Sequence, residues 1–138
     1  MRWILILMCS VIASSLFAQD LYKIRVERKE GFINKKGAII IPNSFDKVFS
    51  FEEDLAKIKN GSRYGFINKS GKTVVPVQYS KVSGFSEGLS AVKNDGKWFY
   101  IDKTGAKKID VVCNFAYPFH EGFARIQVGT LFGFINKS

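Results

Sequence analysis

Hydrophobic and polar positions along this chain repeat with a fixed spacing of 34 residues. The segment 31–37 (GFINKKG) returns at 65–71, in altered form at 99–105, and at the end of the chain as 133–138. A regular spacing of this length is typical of repeat architectures. The pattern predicts three repeats, 31–64, 65–98 and 99–132, with a partial repeat 21–30 before them and a terminal strand 133–138 after them.

Each repeat opens with an apolar pair followed by a turn. In the first repeat, Phe32 and Ile33 lead into Asn34, and Gly37 follows three residues later. Asn at the start of a type I turn accepts a hydrogen bond from the N–H two residues on, and the glycine can adopt a positive φ. A β-branched run follows and is predicted to end at Pro42, because proline cannot donate to a strand ladder. This half of the repeat is therefore a predicted hairpin.

The second half of each repeat predicts one more strand. After a looser connection, residues 55–59 alternate in the manner of a strand, and Asn60-Gly61 marks a second tight turn. Each repeat should then hold about three short strands and two turns, without helix. The predicted fold class is all-β, with about three tandem 34-residue antiparallel β repeats stacked as an open solenoid-like array. A propeller-like ring is the alternative, but three units are few for closure.

Residues 1–19 have the pattern of a signal peptide. Arg2 precedes an apolar run, and small residues follow it up to a predicted cleavage near Ala18 or Gln19. The run is short for a membrane span, and residues 20–138 contain no other candidate. The predicted location is therefore outside the cytoplasm: periplasmic, at the cell surface or secreted. An uncleaved N-terminal anchor is the alternative.

Net charge and cysteine content describe the predicted mature chain. Without residues 1–19 the chain keeps 20 basic and 12 acidic residues, a net charge of +8. Cys113 is then the sole cysteine, so no intramolecular disulfide is predicted. In repeat register Cys113 occupies the place of Phe45 and Tyr79, which predicts a buried position.

The residue pattern does not favour a catalytic function. A nucleophile needs a base and an orienting group within reach, and a zinc site needs three or four ligands. The single histidine, His120, falls in the register of Glu52 and Ser86, a predicted exposed position, apart from Cys113. A Cys113–His120 pair is the remaining catalytic alternative. We therefore predict a non-enzymatic protein without a cofactor or a metal.

One lysine recurs at the same turn position in all four copies: Lys35, Lys69, Lys103 and Lys137. If the repeats stack, these lysines form a basic stripe that would attract an anionic polymer, with binding that weakens as salt rises. The alternative is that they only keep turns and strand edges soluble. Nucleic acid is disfavoured, because the chain carries a predicted leader and no recognition helix or RNA-binding motif.

Acidic and aromatic residues recur as well. One glutamate stands beside a tight turn in each repeat, and we predict that it accepts backbone N–H groups of its own turn: Glu53, Glu87 and Glu121. Two aromatic rows are predicted core: Phe32, Phe66, Tyr100 and Phe134, and then Phe51, Phe85 and Phe119. A third row lies beside a hairpin turn, where partial exposure and stacking on a sugar are the alternative to a core position: Tyr64, Trp98 and Phe132.

The sequence of the middle repeat resembles the WG (KWG) repeat family. The matching segments are 64–71 (YGFINKSG), 74–76 (VVP) and 85–92 (FSEGLSAV), and the resemblance extends over 21–138. The Trp-Gly pair that names the family is absent here. The resemblance implies bacterial β-repeat modules, often exported, that act in binding or interaction and have no agreed ligand or catalytic residues.

These observations lead to two hypotheses of function. The first is an exported, non-enzymatic binding module for an unknown protein or an anionic envelope polymer. The second is a structural or assembly subunit of an envelope complex that docks through exposed strand edges.

Overall fold

A computed structural model describes residues 20–138 and folds them into 14 antiparallel strands without helix. The predicted signal peptide, 1–19, lies outside the described residues. The strands are β1 (Leu21–Val26), β2 (Lys29–Asn34), β3 (Ile39–Phe45), β4 (Lys47–Glu52), β5 (Leu55–Asn60), β6 (Arg63–Asn68), β7 (Thr73–Tyr79), β8 (Lys81–Val82), β9 (Leu89–Asn94), β10 (Lys97–Asp102), β11 (Lys107–Val111), β12 (Phe115–His120), β13 (Phe123–Val128) and β14 (Leu131–Ile135). Residues 20–138 contain no helix of the length and apolarity that a bilayer span requires.

The strands form four sheets, each a meander in which sequence neighbours pair. The first sheet is β1–β3, the second β4–β7, the third β8–β11 and the fourth β12–β14. The predicted all-β fold of tandem antiparallel repeats is confirmed. The partial repeat and the terminal strand both join a sheet, with Tyr22 opposite Ile33 in the first sheet and Arg125 opposite Phe134 in the last.

Each 34-residue period holds four strands, one more than the pattern predicts. The segment that reads as a loose connection forms β4, β8 and β12, which pair with β5, β9 and β13. In β4, Val48 lies opposite Ile58 and Phe51 opposite Ala56, with a register shift between them. The resulting bulge breaks the alternation of apolar and polar residues, which is the signal that identifies a strand.

The prediction that Pro42 ends its strand is wrong, because β3 continues to Phe45. Pro76, the equivalent proline of the next repeat, likewise lies within β7, which continues to Tyr79. Each proline lies in a bulge opposite a glycine, where the pairing register shifts and the ladder needs no N–H from it. The strands approach closely there, since a Cβ on Gly65 would lie 2.5 Å from the carbonyl oxygen of Val75. Gly65 and Pro76 therefore belong to one irregular pairing.

The hydrophobic core lies between consecutive sheets as three clusters. In each cluster an aromatic ring of one sheet packs against a phenylalanine of the next. The ring centroids lie 5.1 Å apart for Phe32 and Phe51, 4.7 Å for Phe66 and Phe85, and 5.0 Å for Tyr100 and Phe119. The equivalent ring of the last sheet, Phe134, is 71% exposed, so the array is open and the prediction that Phe134 lies in the core is wrong, because within residues 20–138 no further sheet covers it.

Candidate binding surface

The turns between paired strands fix the row of lysines. The side-chain oxygen of Asn34 accepts hydrogen bonds from the N–H groups of Lys36 and Ala38, at 2.9 and 3.0 Å. Asn68 and Asp102 repeat this arrangement, and the glycine that follows each adopts a positive φ. The predicted Asx turns are confirmed, and they place Lys35, Lys69 and Lys103 in equivalent positions.

Three of the four row lysines face carboxylates of earlier turns. Nζ of Lys69 lies 2.7 Å from Asp54, that of Lys103 lies 3.8 Å from Glu53, and that of Lys137 lies 3.0 Å from Glu87. Lys69 holds the pKa of Asp54 below its usual value through a hydrogen bond. Within residues 20–138, Lys35 forms no ion pair. The row is therefore interleaved with negative charge over most of its length.

Two of the three recurring glutamates, Glu53 and Glu87, connect successive repeats, and the prediction that they accept N–H groups of their own turns is wrong. The carboxylate of Glu53 accepts a 2.9 Å hydrogen bond from the N–H of Gly88, and Glu87 accepts from Gly122 at 3.1 Å. Hydrogen bonds from Lys137 and then from Gly122 lower the pKa of Glu87. Sequence spacing alone does not show that a carboxylate reaches a turn 35 residues away.

A groove of about 620 Å³ opens between the first two sheets. Four aromatic residues and two lysines contribute to it: Tyr22, Phe32, Phe49, Phe51, Lys23 and Lys69. Asp20, Leu21 and Ser50 complete its lining. Lys69, from the row of turn lysines, thus lies beside an aromatic surface.

Phe49, which lines this groove, also lies between two lysines outside the row. Nζ of Lys57 lies 4.2 Å from the ring centroid of Phe49, and that of Lys47 lies 5.0 Å from it. Burial lowers the pKa of Lys57. Ammonium groups over an aromatic face gain favourable electrostatic energy, which holds the two lysines close to the ring.

Two groove residues carry a sequence signal that the repeat alignment contains. Phe49 has the register of Ser83 and Tyr117. Because the residue type differs between repeats, the pattern does not predict a core position for Phe49. Tyr22 stands where the later repeats have Ala56, Ser90 and Ala124, which are all fully or almost fully buried. A bulky aromatic residue in a small-residue register marks a local difference that the sequence prediction missed.

Cys113 and His120 form no hydrogen bond with each other within the described residues. Cys113 is half-buried and packs against the core cluster that contains Trp98 and Tyr100, and burial raises the pKa of its thiol. His120 is exposed at the end of β12, opposite Phe123, which confirms its predicted exposure. Within residues 20–138, no three His, Cys, Asp or Glu side chains converge on a possible metal position.

The third aromatic row differs from one repeat to the next. Trp98 is buried and donates its indole N–H to the carbonyl oxygen of Asn114 at 2.9 Å, whereas Tyr64 is half-buried and Phe132 is exposed. In the same register of the first sheet, buried Glu30 accepts the N–H of Val48 at 2.8 Å. Where this position carries a side chain that forms a hydrogen bond, as Trp98 and Glu30 do, it therefore connects a sheet to the segment that follows.

Stacked antiparallel meanders with an aromatic groove define a β-repeat protein. The chain belongs to the family of WG-containing repeats, which matches residues 31–64, 64–98 and 98–129, more than half of the chain. Neither the comparison with curated proteins nor the comparison with solved structures found a match.

Proposed function

We propose that this WG-repeat protein is an exported, non-enzymatic binding module and that the groove between its first two sheets holds the ligand. The observation that carries the proposal is the meeting of aromatic rings with lysines in a concave surface of about 620 Å³. Ligand sites of this size are commonly lined by aromatic side chains with a few placed polar groups.

The groove favours a ligand with flat apolar faces and negative charge, such as an anionic glycan of the cell envelope. The ring of Phe49 offers stacking surface, and Lys23 and Lys69 offer positive charge beside it. Lys69 also has Asp54 as a partner, so an anionic ligand would compete with that carboxylate. We therefore expect binding of moderate strength that declines with salt.

The other row lysines extend this surface in the proposal. In a single copy Lys35 contributes most among them, because within residues 20–138 no carboxylate pairs with it. Lys103 and Lys137 contribute less, since each lies near a glutamate of an earlier turn.

Calorimetric titration with polygalacturonate across a salt series tests the proposed binding function. The expected result is salt-sensitive binding that Phe49→Ala and Lys69→Gln each weaken severalfold. Lys97→Gln, at an exposed position outside the groove and the lysine row, is the matched control and should bind like the unchanged protein. Equal binding by all variants would reject the groove as the site, and no binding at low salt would reject an anionic glycan.

Export is tested separately by cell fractionation and N-terminal sequencing of the accumulated protein. A mature N-terminus near Gln19 in an extracytoplasmic fraction would support the proposed leader. An intact N-terminus in the cytoplasm would contradict it.

A role in assembly is the second candidate. In the last sheet β14 pairs with β13 alone, and among the described residues no fourth strand follows it. Leu131 is 75% exposed in this edge strand. An unpaired edge with apolar side chains is a surface on which another chain can add.

A further inference from the structure

The outer face of the first sheet is apolar. Tyr22 lies opposite Ile33, and Ile33 opposite Ile39, so the three side chains share one face. Ile24 and Val26 alternate with Tyr22 along β1 and lie on the same face. We call this set, Tyr22, Ile24, Val26, Ile33 and Ile39, the leading face. Tyr22 is 51% exposed there.

The outer face of the last sheet is aromatic. Arg125 lies opposite Phe134, and Gln127 lies opposite both Phe115 and Phe132, so these residues share one face with Phe123. We call this set, Phe115, Phe123, Arg125, Phe132 and Phe134, the trailing face. The guanidinium of Arg125 lies 5.0 Å from the ring centroid of Phe132. The phenylalanines are between 43% and 71% exposed, which is unusual for contiguous apolar surface on a soluble monomer.

The same registers are buried inside the array. Leu89, one repeat before Phe123, is 8% exposed because the last sheet covers it. Ile58 and Ile67, one repeat after Ile24 and Ile33, are fully buried against the first sheet. The trailing and leading faces are thus the two halves of an interface that the chain forms between each pair of consecutive sheets.

Tyr22 fits this interpretation despite its size. In the later sheets its register holds a small residue that lies opposite a phenylalanine of the sheet's first strand, as Ala56 does with Phe51 and Ala124 with Phe119. Among residues 20–138 the first sheet has no such strand. Tyr22 therefore supplies a ring of its own where the other sheets use a phenylalanine.

Charge supports the same arrangement. Two internal ion pairs join a turn glutamate to the lysine 50 positions later, Glu53 to Lys103 and Glu87 to Lys137. Four sheets of 34-residue spacing correspond to 136 positions, so Lys35 of a following copy would take position 171, which is 50 after Glu121. Within residues 20–138, neither Glu121 nor Lys35 forms an ion pair.

We propose that this protein associates head to tail with further copies of itself, the trailing face of one copy packing on the leading face of the next. The contact continues the internal stacking of sheets and pairs Glu121 with Lys35 of the following copy. Because the two faces differ, the contact is heterologous and adds copies in one direction rather than closing a two-fold dimer. This inference goes beyond ligand binding in the groove and does not depend on it.

Two blocked variants test the direction of association. Phe134→Glu places a charge on the trailing face, and Tyr22→Glu places one on the leading face; both sites are exposed, and circular dichroism checks that both variants fold. Sedimentation across a concentration series should show growing assemblies for the unchanged protein and monomers for each variant alone. A mixture of the two should form one-to-one dimers and nothing larger, because one free face of each kind remains.

Three outcomes would overturn the proposal: an unchanged protein that stays monomeric at every concentration, a blocked variant that assembles alone, or a folded mixture that stays monomeric. Binding of the unchanged monomer to another protein would assign the faces to a different partner and also overturn it. None of these outcomes affects the polygalacturonate titration, so the two proposals fail separately.

A charge exchange tests the predicted register of the contact. Lys35→Glu and Glu121→Lys should each weaken association about two- to fivefold, in line with an exposed ion pair. The chain with both changes should associate like the unchanged protein, because the pair is restored across the contact. Failure of the double variant to recover would contradict the register.

Discussion

The same six residues, GFINKS, occur at 65–70 in the middle of the array and at 133–138 at its end. Both copies form a strand, and in both the asparagine accepts the N–H of the residue two positions on. Their surroundings differ, since Phe66 is 1% exposed and Phe134 is 71% exposed. Local conformation thus follows from the hexapeptide, whereas burial follows from the presence of a following sheet.

The glycines of the two copies show the same division. A Cβ at Gly65 would collide with the backbone of β7, whereas a Cβ at Gly133 would meet nothing within 4 Å. The neighbouring strand therefore requires glycine at position 65, whereas no neighbouring atom requires it at position 133. Equivalent substitutions in the two copies measure how much each neighbour contributes.

The largest difference is expected for the aromatic pair. Phe66→Ala should lower the free energy of unfolding by about 3–5 kcal/mol, because it empties a core site beside Phe85. Phe134→Ala should change it by about 0.5 kcal/mol or less when measured on the monomer. Denaturant titration at low protein concentration measures both, and equal losses would contradict the assignment of Phe134 to an uncovered face.

The next largest difference in stability is expected for the two glycines, Gly65 and Gly133. Gly65→Ala should cost about 1–3 kcal/mol, because the atoms that the new Cβ meets are backbone atoms of Val75 and Pro76 that have little room to move. Gly133→Ala is the matched control and should stay within about 0.5 kcal/mol of the unchanged protein. A tolerated Gly65→Ala would show that the bulge can relax.

The two asparagines, Asn68 and Asn136, test how much the local turn contributes to stability. Asn68→Ala removes two 3.0 Å hydrogen bonds from the N–H groups of Ser70 and Lys72 and should cost about 1 kcal/mol. Asn136→Ala removes bonds to Ser138 at the chain end and should have little effect on the midpoint of thermal unfolding. Similar losses at both positions would mean that the Asx turn stabilises the strand without help from a following strand.

The smallest effect on stability is expected for the turn glutamate Glu87. The pKa of Glu87 in the folded protein lies below its usual 4.5, so the unfolded chain binds more protons between the two values. The stabilising contribution is complete above pH 4.5 and is lost as the pH falls through the lowered pKa. Glu87→Gln should therefore reduce the acid sensitivity of the unfolding temperature, measured by thermal unfolding across a pH series, and an unchanged sensitivity would contradict this role of Glu87.

The repeat pattern alone predicts much of this fold. Period, hairpins and Asx turns follow from local residue spacing, as at Asn34 and Gly37, because backbone geometry there depends on neighbours in sequence. The bulges at Pro42 and in β4 escape prediction, because they disrupt the alternation that identifies strands. The contact from Glu53 to Gly88 escapes it as well, since it depends on how two sheets stack.

Candidate sites were harder to predict than strands. Repetition identifies Lys69, but its position beside Tyr22 and Phe49 depends on how the first two sheets meet. Those two aromatic residues depart from the repeat, so a search for recurring residues passes over them. Differences between repeats are therefore as informative about binding surfaces as the residues that recur.

Within residues 20–138, every strand pairs only with strands next to it in the chain. Contacts between residues close in sequence need little loop-closure entropy, which favours rapid folding. During synthesis each meander can thus form as soon as its own last strand leaves the ribosome, before the rest of the chain exists. A newly made sheet then offers its uncovered face as the template on which the next sheet assembles.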